Sequence, residues 1–459
     1  MTALRERVAR ELSASRARVE ALTSLDDAEL VAQHSALMSP LVWDLAHVVN
    51  YEEIWLAREA AGLPAYRPEL DDLYDAFAHP RAERPALPIL APPEARHYGK
   101  LVRERAWQSV ERLDVAGAAA GNPLLADGFV HGMVVQHEQQ HAETMLATHQ
   151  LRAGPPVLAE TTLPLPGGER AGTAGVADVL VEAGPYRQGT SSDPWALDNE
   201  RPAHVVDVPS FRIDVHPVSN SAFAGFVAAG GYADPRWWSA PGWSHRQAEQ
   251  LGAPAFWEPD GSWFTRRRFG RVEDLPPEEP VQHVTFHEAA AYARWAGRRL
   301  PTESEWEKAC RYDPATGQVN RFPWGDEDPN PDLANLAYEP DAPSLRPAPI
   351  GSYPGGASPC GAQQMIGDVW EWTSSPFAGY PGFRAWPYPE YSEVFFGNEY
   401  RVLRGGSWAS HPVAVRGTFR NWDYPIRRQI FAGFRTAISL DPERAPTSRD
   451  FTADPAGGS

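Results

Sequence analysis

Two histidines stand four residues apart in the segment FVHGMVVQHEQQHAETMLATHQ (129–150), whose apolar spacing predicts a helix. His137 and His141 therefore project from one face of that helix, as two imidazoles must to bind one metal ion. The spacing alone is weak, because such pairs also occur on packed or solvent-exposed helices. His47, within the apolar helix predicted over residues 42–54, is the best candidate for a third ligand.

The same residues, His-Glu-Gln-Gln-His, also fit the H-E-x-x-H motif of zinc proteases, with Glu138 as general base. The metzincin continuation fails, because Thr144 stands at the glycine position and His149 comes two residues late. Glu160 is separated from the helix by Gly-Pro-Pro. Three histidines from two facing helices leave several coordination positions open, which favours iron and oxygen chemistry over zinc hydrolysis.

A second candidate cluster lies in RNWDYPIRRQIFAGFR (420–435), which holds Asp423, Arg427 and Arg428 among aromatic residues. An amino-acid-like ligand needs this combination, since arginine binds a carboxylate and aspartate binds an ammonium group. The same charges can instead pair with one another on a structural turn. The residues alone leave both interpretations open.

The composition changes near residue 150, which indicates a domain boundary. Residues 1–152 are predicted to form a four-helix bundle, whose second helix has Ser39 as N-cap and Pro40 at its first position and ends at Gly62. Residues 153–177 are predicted to be a linker, and residues 441–459 a disordered tail. Residues 178–440 combine short β-like runs, Gly/Pro/Trp-rich loops and one clear helix, HEAAAYARWAG, which predicts an irregular α+β domain.

Charge and composition exclude several functional classes. The chain has 42 basic and 60 acidic residues, a net charge of −18, without a Lys/Arg-rich run, so no nucleic-acid partner is expected. No signal-peptide-like segment and no apolar stretch of about 20 residues occurs, and there are only two cysteines, Cys310 and Cys360. We therefore expect a soluble, cytoplasmic protein that does not use a membrane and needs no obligate protein partner.

Three second-domain segments, RLPTESEWEKACR (299–311), GDVWEWTSSPFAGY (367–380) and RVLRGGSW (401–408), resemble the formylglycine-generating-enzyme-like, or sulfatase-modifying-factor, domain. That domain has a loop-rich, C-type-lectin-like fold. The N-terminal segment with His47 and the histidine pair resembles the DinB-like four-helix bundle. Together they cover nearly the whole chain and are similar to the ergothioneine sulfoxide synthases, the hercynine oxygenases, which implies an α+β multidomain fold.

This resemblance implies an iron(II)- and O₂-dependent enzyme that joins hercynine to γ-glutamylcysteine and yields a sulfoxide in ergothioneine biosynthesis. The implied site residues are His47, His137 and His141 for Fe(II), with Glu143 as a supporting partner; Gln140, Asn421 and Trp422 for hercynine; and Arg81, Arg84, Asp423 and Arg427 for the thiol. The tyrosine that serves oxygen activation should follow WEWTSS, which predicts Tyr380, with Tyr388 and Tyr391 as competitors.

One departure from the wider family narrows the chemistry. A formylglycine-generating enzyme carries a close cysteine pair near its C-terminal motif, whereas Cys310 and Cys360 lie elsewhere. Free cysteine or a selenium compound in place of γ-glutamylcysteine remains an alternative substrate, and a non-catalytic ligand-binding module remains an alternative function.

Overall fold

The computed structural model describes residues 3–113, 121–160, 177–338 and 344–440. The N-terminal part is a bundle of helices, and the rest is a loop-rich assembly of short strands and helices, so the predicted α+β architecture is confirmed. The bundle helices are α1 (Ala3–Leu22), α2 (Asp27–Val31), α3 (Leu41–Glu52), α4 (Pro92–Arg112) and α5 (Phe129–Leu151). Most of the predicted linker and the whole predicted tail lie outside the described residues.

The start of α3 corrects one prediction. Pro40, not Ser39, occupies the N-cap position, and α3 continues as a π-helix over Glu53–Ala60 before the turn at Gly62. The Ser39 hydroxyl instead accepts a hydrogen bond from Arg84 Nη1 at 2.6 Å. The hydroxyl oxygen expected to cap the helix therefore binds Arg84, which lies in the long connection between α3 and α4.

The second part contains more regular structure than its sequence predicted. Its helices are α6 (Asn220–Ala228), α7 (Ala240–Ala248), α8 (Phe286–Trp295) and α9 (Glu303–Arg311). Only α8 was predicted; α9 has the same N-terminal capping box, here formed by Thr302 and Glu305. The capping signal was therefore present in the sequence for α9 as well.

The strands form small sheets rather than one extended sheet. They are β1 (Asp178–Val181), β2 (Gly184–Gln188), β3 (His204–Val208), β4 (Phe211–Asp214), β5 (Trp257–Asp260), β6 (Trp263–Arg268), β7 (Arg271–Asp274), β8 (Tyr312–Asp313), β9 (Gln318–Val319), β10 (Trp370–Phe377), β11 (Gly397–Arg404), β12 (Asn421–Asp423), β13 (Ala432–Gly433) and β14 (Ala437–Ser439). A four-stranded sheet has the order β12-β11-β10-β13, and a three-stranded sheet has the order β1-β4-β14. Pairing of β12 with β11 places Asn421, Trp422 and Asp423 at the edge of the larger sheet.

The two parts share one hydrophobic core. Val8 and Leu12 of α1 belong to the same buried cluster as Phe223 and Trp372 of the second part. A Cβ atom on Gly132 of α5 would come within 2.4 Å of the Trp195 ring, so this contact requires glycine. Among the described residues, no helix is long and apolar enough to cross a membrane.

Buried ion pairs hold α5 against the other bundle helices. Arg16 of α1 binds Glu138 at 2.7 Å and Glu52 at 2.7 Å, and Arg103 of α4 binds Glu138 at 3.0 Å. These charges are compensated within the network, because an unpaired buried carboxylate would be strongly destabilising. Glu138, the general base of the zinc-protease interpretation, is thus committed to a structural role.

His149 predicts how stability depends on pH. Its Nε2–H donates to the Leu22 carbonyl oxygen at 2.8 Å, and burial lowers its pKa to about 4. The unfolded chain takes up this proton near pH 6.5 and the folded chain does not, so stability falls as the pH drops from about 6.5 towards 4. Between pH 7 and 5 this histidine alone should remove about 2 kcal/mol.

The measurement is urea unfolding of the metal-free protein at both pH values, for the wild type and for His149→Gln. The variant keeps a donor for the Leu22 carbonyl but has no imidazole to titrate. Its free energy of unfolding should therefore fall less between pH 7 and pH 5 than that of the wild type, by about 2 kcal/mol. An equal loss in the two proteins would contradict the prediction.

Candidate metal centre and substrate cavity

The three predicted histidines converge. His137 and His141 lie on one face of α5, and His47 projects from α3; one ligand atom from each lies within 4.8 Å of the others. The Nε2 atoms of His47 and His137 are 3.2 Å apart. One small cation can therefore contact all three imidazoles.

Hydrogen bonds on the outer nitrogens orient two of these rings. His47 Nδ1 lies 2.8 Å from the Tyr74 carbonyl oxygen, and His141 Nδ1 lies 3.1 Å from Asp44 Oδ1. Both partners are acceptors, so each Nδ1 carries the hydrogen and each Nε2 presents a lone pair. Asp44 is buried on α3, whereas its partner His141 lies on α5, so sequence reasoning missed this pairing.

Burial also favours the neutral imidazoles that metal binding requires. Burial, assisted by the neighbouring His141, lowers the pKa of His47 and of His137 well below the usual value. Neither ring carries a proton that a metal would have to displace at neutral pH. The donor set, its orientation and its protonation state therefore fit a bound metal ion.

Aromatic rings complete the walls of the centre. Trp43 stacks on His47 with ring centroids 4.7 Å apart, and Tyr51 stacks on His137 at 3.9 Å. Sequence reasoning missed both rings, since aromatic residues on an apolar helix are ordinarily read as core.

Arg84 does not line the cavity in front of the histidines, although the sequence predicted that it binds substrate. Its guanidinium lies 3.5 Å from the centroid of the Trp43 ring and donates to the Ser39 hydroxyl and the His79 carbonyl. Burial lowers its pKa to about 10. The side chain supports Trp43, which in turn packs on His47.

Glu143 joins the two parts of the chain and is not the supporting partner of the histidines that was predicted. Its carboxylate accepts hydrogen bonds from Trp370 Nε1, the Ser407 hydroxyl and the Ser410 hydroxyl, each at 2.7 Å. Burial raises its pKa. The role expected of Glu143 is filled by Asp44 and the Tyr74 carbonyl.

A cavity of about 730 Å³ opens in front of the histidines between the bundle and the second part. Its walls bring together residues that are far apart in the sequence. Besides the three histidines, the predicted site residues that line it are Arg81, Gln140, Glu143, Asn421, Trp422, Asp423 and Arg427.

The charged cluster predicted from the sequence faces this cavity in part. Arg427 is buried, donates to the Leu37 carbonyl at 3.2 Å, and holds its Nε 3.6 Å from Asp423 Oδ2. Arg428 instead binds the Ala253 carbonyl and Glu288. Asp423 and Arg427 thus pair with each other, and both also line the cavity; ligand binding by this cluster stays a prediction.

The structure does not bring Tyr380 to the cavity. Its buried hydroxyl lies 3.1 Å from Gln188 Nε2 and 3.4 Å from Glu303 Oε1, and its ring packs beside Arg420. β10 ends at Phe377, and Tyr380 turns inward immediately after it. The prediction of Tyr380 assumed that nearness to the WEWTSS strand meant nearness to the histidines, which the turn prevents.

The competing tyrosines do line the cavity. The Tyr388 hydroxyl is 2.9 Å from the Tyr51 hydroxyl, and the Tyr391 hydroxyl is 3.5 Å from Gln140 Oε1. Burial raises the pKa of both residues, so both hydroxyls stay protonated at neutral pH.

Comparisons with known proteins agree with this architecture. Residues 11–145 match the DinB superfamily, and residues 168–440 match the Sulfatase-modifying factor enzyme 1-like domain. The chain is 53% identical over 451 residues to a hercynine oxygenase of Mycolicibacterium thermoresistibile, covering 96% of each chain. It is 53% identical over 413 residues to the hercynine oxygenase of Mycolicibacterium smegmatis, covering 88% of this chain and 92% of that one. A formylglycine-generating enzyme of Mycobacterium tuberculosis is 35% identical over 246 residues, which is 46% of this chain and 76% of that enzyme.

The hydrogen bond from His141 to Asp44 predicts the strength of metal binding. Asp44→Asn preserves the shape of the side chain but removes the charge that makes the imidazole a better ligand, so metal affinity should fall about 10- to 100-fold. Anaerobic titration with Fe(II) measures this change. Asp27→Asn, at an exposed carboxylate that pairs with Arg96 elsewhere on the bundle, is the control and should bind as the wild type does. Equal affinity of Asp44→Asn and the wild type would contradict the prediction.

Proposed function

The chain belongs to the hercynine oxygenase family, and we propose that it is an iron(II)- and O₂-dependent sulfoxide synthase that joins hercynine to γ-glutamylcysteine. It is an oxygenase enzyme by its family. The observation that carries the finer proposal is the convergence of three histidines on a cavity whose other wall supplies Asp423 and Arg427. The product is γ-glutamyl-hercynylcysteine sulfoxide, an intermediate of ergothioneine biosynthesis.

His47, His137 and His141 would hold the iron. When bound, the iron supplies a coordination site for the thiolate and for oxygen and carries the redox chemistry. The protein ligands are all neutral, so a substrate thiolate brings the negative charge that the ligand set lacks.

Hercynine is an imidazole with an attached betaine, and we assign its ring to Gln140, Asn421 and Trp422. Gln140 of α5 lines the cavity together with His137 and His141, which supports its assignment to a ligand bound there. Asn421 Oδ1 accepts from the Trp422 backbone N–H at 2.9 Å, which leaves its side-chain NH₂ to donate to a ring nitrogen. Trp422 is itself held by stacking on Phe377 at 4.1 Å.

The thiol substrate is assigned to Arg81, Asp423 and Arg427. γ-Glutamylcysteine has two carboxylates and one ammonium group, which two arginines and one aspartate complement in number and sign. Free cysteine has a single carboxylate and leaves one arginine without a partner. The charge inventory therefore favours the dipeptide, and Arg84 acts through Trp43 rather than on the substrate.

The proposed reaction balances without an external reductant. The C–S bond forms from the imidazole C–H and the thiol S–H and releases two electrons, and oxidation of sulfur to the sulfoxide releases two more. O₂ accepts all four, with one oxygen atom in the sulfoxide and the other in water. A proton donor in the cavity is the protein's part in this step.

We assign that proton donor to the cavity tyrosines, Tyr388 and Tyr391, in place of Tyr380. Tyr51 stacks on His137 and shares a hydrogen bond with Tyr388, so a proton can reach the region beside the metal ligands through paired hydroxyls. Tyr391 contacts Gln140, which we assign to hercynine. Tyr380 has neither connection.

The test of the proposed function is anaerobic loading with Fe(II), addition of hercynine and one thiol, admission of air, and mass spectrometry of the product. We expect the sulfoxide conjugate with γ-glutamylcysteine. A conjugate formed only with free cysteine or a selenium compound would replace γ-glutamylcysteine as the assigned substrate. Oxygen uptake without a conjugate would indicate thiol oxidation, and failure to bind iron would indicate a non-catalytic ligand-binding module.

The tyrosine assignment predicts how products divide in single variants. Tyr388→Phe and Tyr391→Phe remove a cavity hydroxyl with little change in volume, and loss of general acid catalysis typically costs 10²- to 10⁴-fold, so at least one should lower conjugate formation by about 100-fold relative to thiol oxidation. Tyr380→Phe is the matched control and should keep the wild-type product ratio. A shift in the ratio confined to Tyr380→Phe would restore the original assignment.

A further inference from the structure

The segment that carries the cavity tyrosines is fastened at both ends to one carboxylate. Asp198 Oδ1 accepts a hydrogen bond from the Ser392 hydroxyl at 2.5 Å, and Asp198 Oδ2 accepts from the Trp386 backbone N–H at 3.3 Å. Tyr388 and Tyr391 lie between these two anchoring points. A single side chain therefore closes residues 386–392, the tyrosine loop, into a ring.

The contact between Asp198 and Ser392 is buried, and a second hydrogen bond supports it. Ser392 is fully buried, and Asn199 Nδ2 donates to its hydroxyl oxygen at 2.9 Å. Asp198 is 2% exposed, so water does not compete for these hydrogen bonds. In a buried setting, an acceptor with two good donors fixes the positions of both.

The chain segment that supplies this anchor is also attached to the metal-ligand helix. The Trp195 carbonyl accepts from Gln136 Nε2 at 3.0 Å, and Gln136 immediately precedes His137. Glu200 binds Arg416 Nη2 at 2.5 Å, and the same nitrogen donates to Gln136 Oε1 at 2.8 Å. Residues 195–200 thus contact α5 on one side and the tyrosine loop on the other.

From these contacts we infer that Asp198 is a positioning residue, which through the 195–200 segment sets the placement of the Tyr388 and Tyr391 hydroxyls relative to the three histidines. The inference rests on the proposed function, because it assigns to Asp198 control over the groups that we propose as proton donors. Asp198 does not line the cavity and acts only through the loop.

The chemical consequence is a change of product and not only of rate. A hydroxyl displaced by about 1 Å loses much of its effectiveness as a proton donor, since misplacement of this size can cost 10²-fold. The metal ligands are held by other contacts, so thiol oxidation continues. Loosening the loop therefore diverts turnover from the conjugate to the oxidised thiol.

Asp198→Asn tests this inference. The substituted amide has one acceptor oxygen in place of two and carries no charge, so it cannot accept from both the Ser392 hydroxyl and the Trp386 backbone N–H, and the anchor is weakened. Ser392→Ala removes the hydroxyl that donates to Asp198 Oδ1, which is a smaller change. This variant replaces Asp198→Asn in the test if Asp198→Asn folds poorly. Asp214→Asn is the control, because Asp214 is a half-buried carboxylate that also accepts several hydrogen bonds, from Thr436 and Arg298, away from the loop.

Two readouts are needed. Hydrogen–deuterium exchange of the metal-free protein reports whether peptides covering residues 386–392 open faster, independently of turnover. The ratio of sulfoxide conjugate to oxidised thiol, measured on the iron-loaded protein at equal iron content, reports positioning. We expect faster exchange in the loop and a ratio lowered by about 10-fold or more in Asp198→Asn and Ser392→Ala, with both readouts at the wild-type value in Asp214→Asn.

An unchanged product ratio in both variants would overturn the inference, whether or not exchange in the loop increases. An equal fall in the ratio for Asp214→Asn would do so too, because general destabilisation would then explain it. Failure of the proposed function looks different: the wild type itself would form no conjugate, and the inference would fall with it.

Discussion

The site depends on helix α5 being held rigidly from opposite sides. On the bundle side, Glu138 is bound by Arg16 and Arg103; on the other side, Glu143 accepts three hydrogen bonds from the second part of the chain. Glu138 lies between His137 and His141 in sequence, and Glu143 follows them. A metal centre needs its ligand atoms fixed within a fraction of an ångström, and a helix anchored from two sides favours that.

The anchors consist of buried charges, which is a costly way to hold a helix. Burying a carboxylate is unfavourable unless donors compensate it fully, and each of these carboxylates has several. An apolar contact of equal area would have a smaller desolvation penalty, but it would let the helix slide or rotate against its neighbours. Buried hydrogen bonds and ion pairs instead fix the orientation and register of the helix. The same logic appears at Asp198, where a buried carboxylate fixes a loop that hydrophobic contacts alone would leave with several packings. Specific placement, rather than net stability, is what these groups contribute.

Much of the site was predictable from local sequence, and the failures have a common physical cause. His137 and His141 follow from helical periodicity, and the composition of residues 420–435 indicated a ligand-binding edge. The fold class also followed from the change in texture near residue 150. Tyr380, Arg84 and Glu143 were placed by their nearness in sequence to a motif, but side-chain direction after a strand or within a long connection is decided by tertiary packing. Tyr380 turns into a polar pocket with Glu303, and Arg84 turns onto Trp43. Asp44 could not be found by local spacing either, because its partner is His141 on another helix and not His47 on its own.

The division of labour between the two parts explains why neither holds the site alone. None of the three histidines falls within residues 168–440, the part that matches the sulfatase-modifying-factor domain, while Asp423, Arg427 and the cavity tyrosines all do. The helix that carries His137 and His141 and the edge that carries Asp423 and Arg427 belong to two parts that share a common core. A change in that shared core would therefore alter the distance between metal ligands and substrate groups without touching either. It follows that the candidate site is a property of the interface between the two parts, and that Glu143, which binds Trp370, Ser407 and Ser410 across this interface, helps to set its geometry.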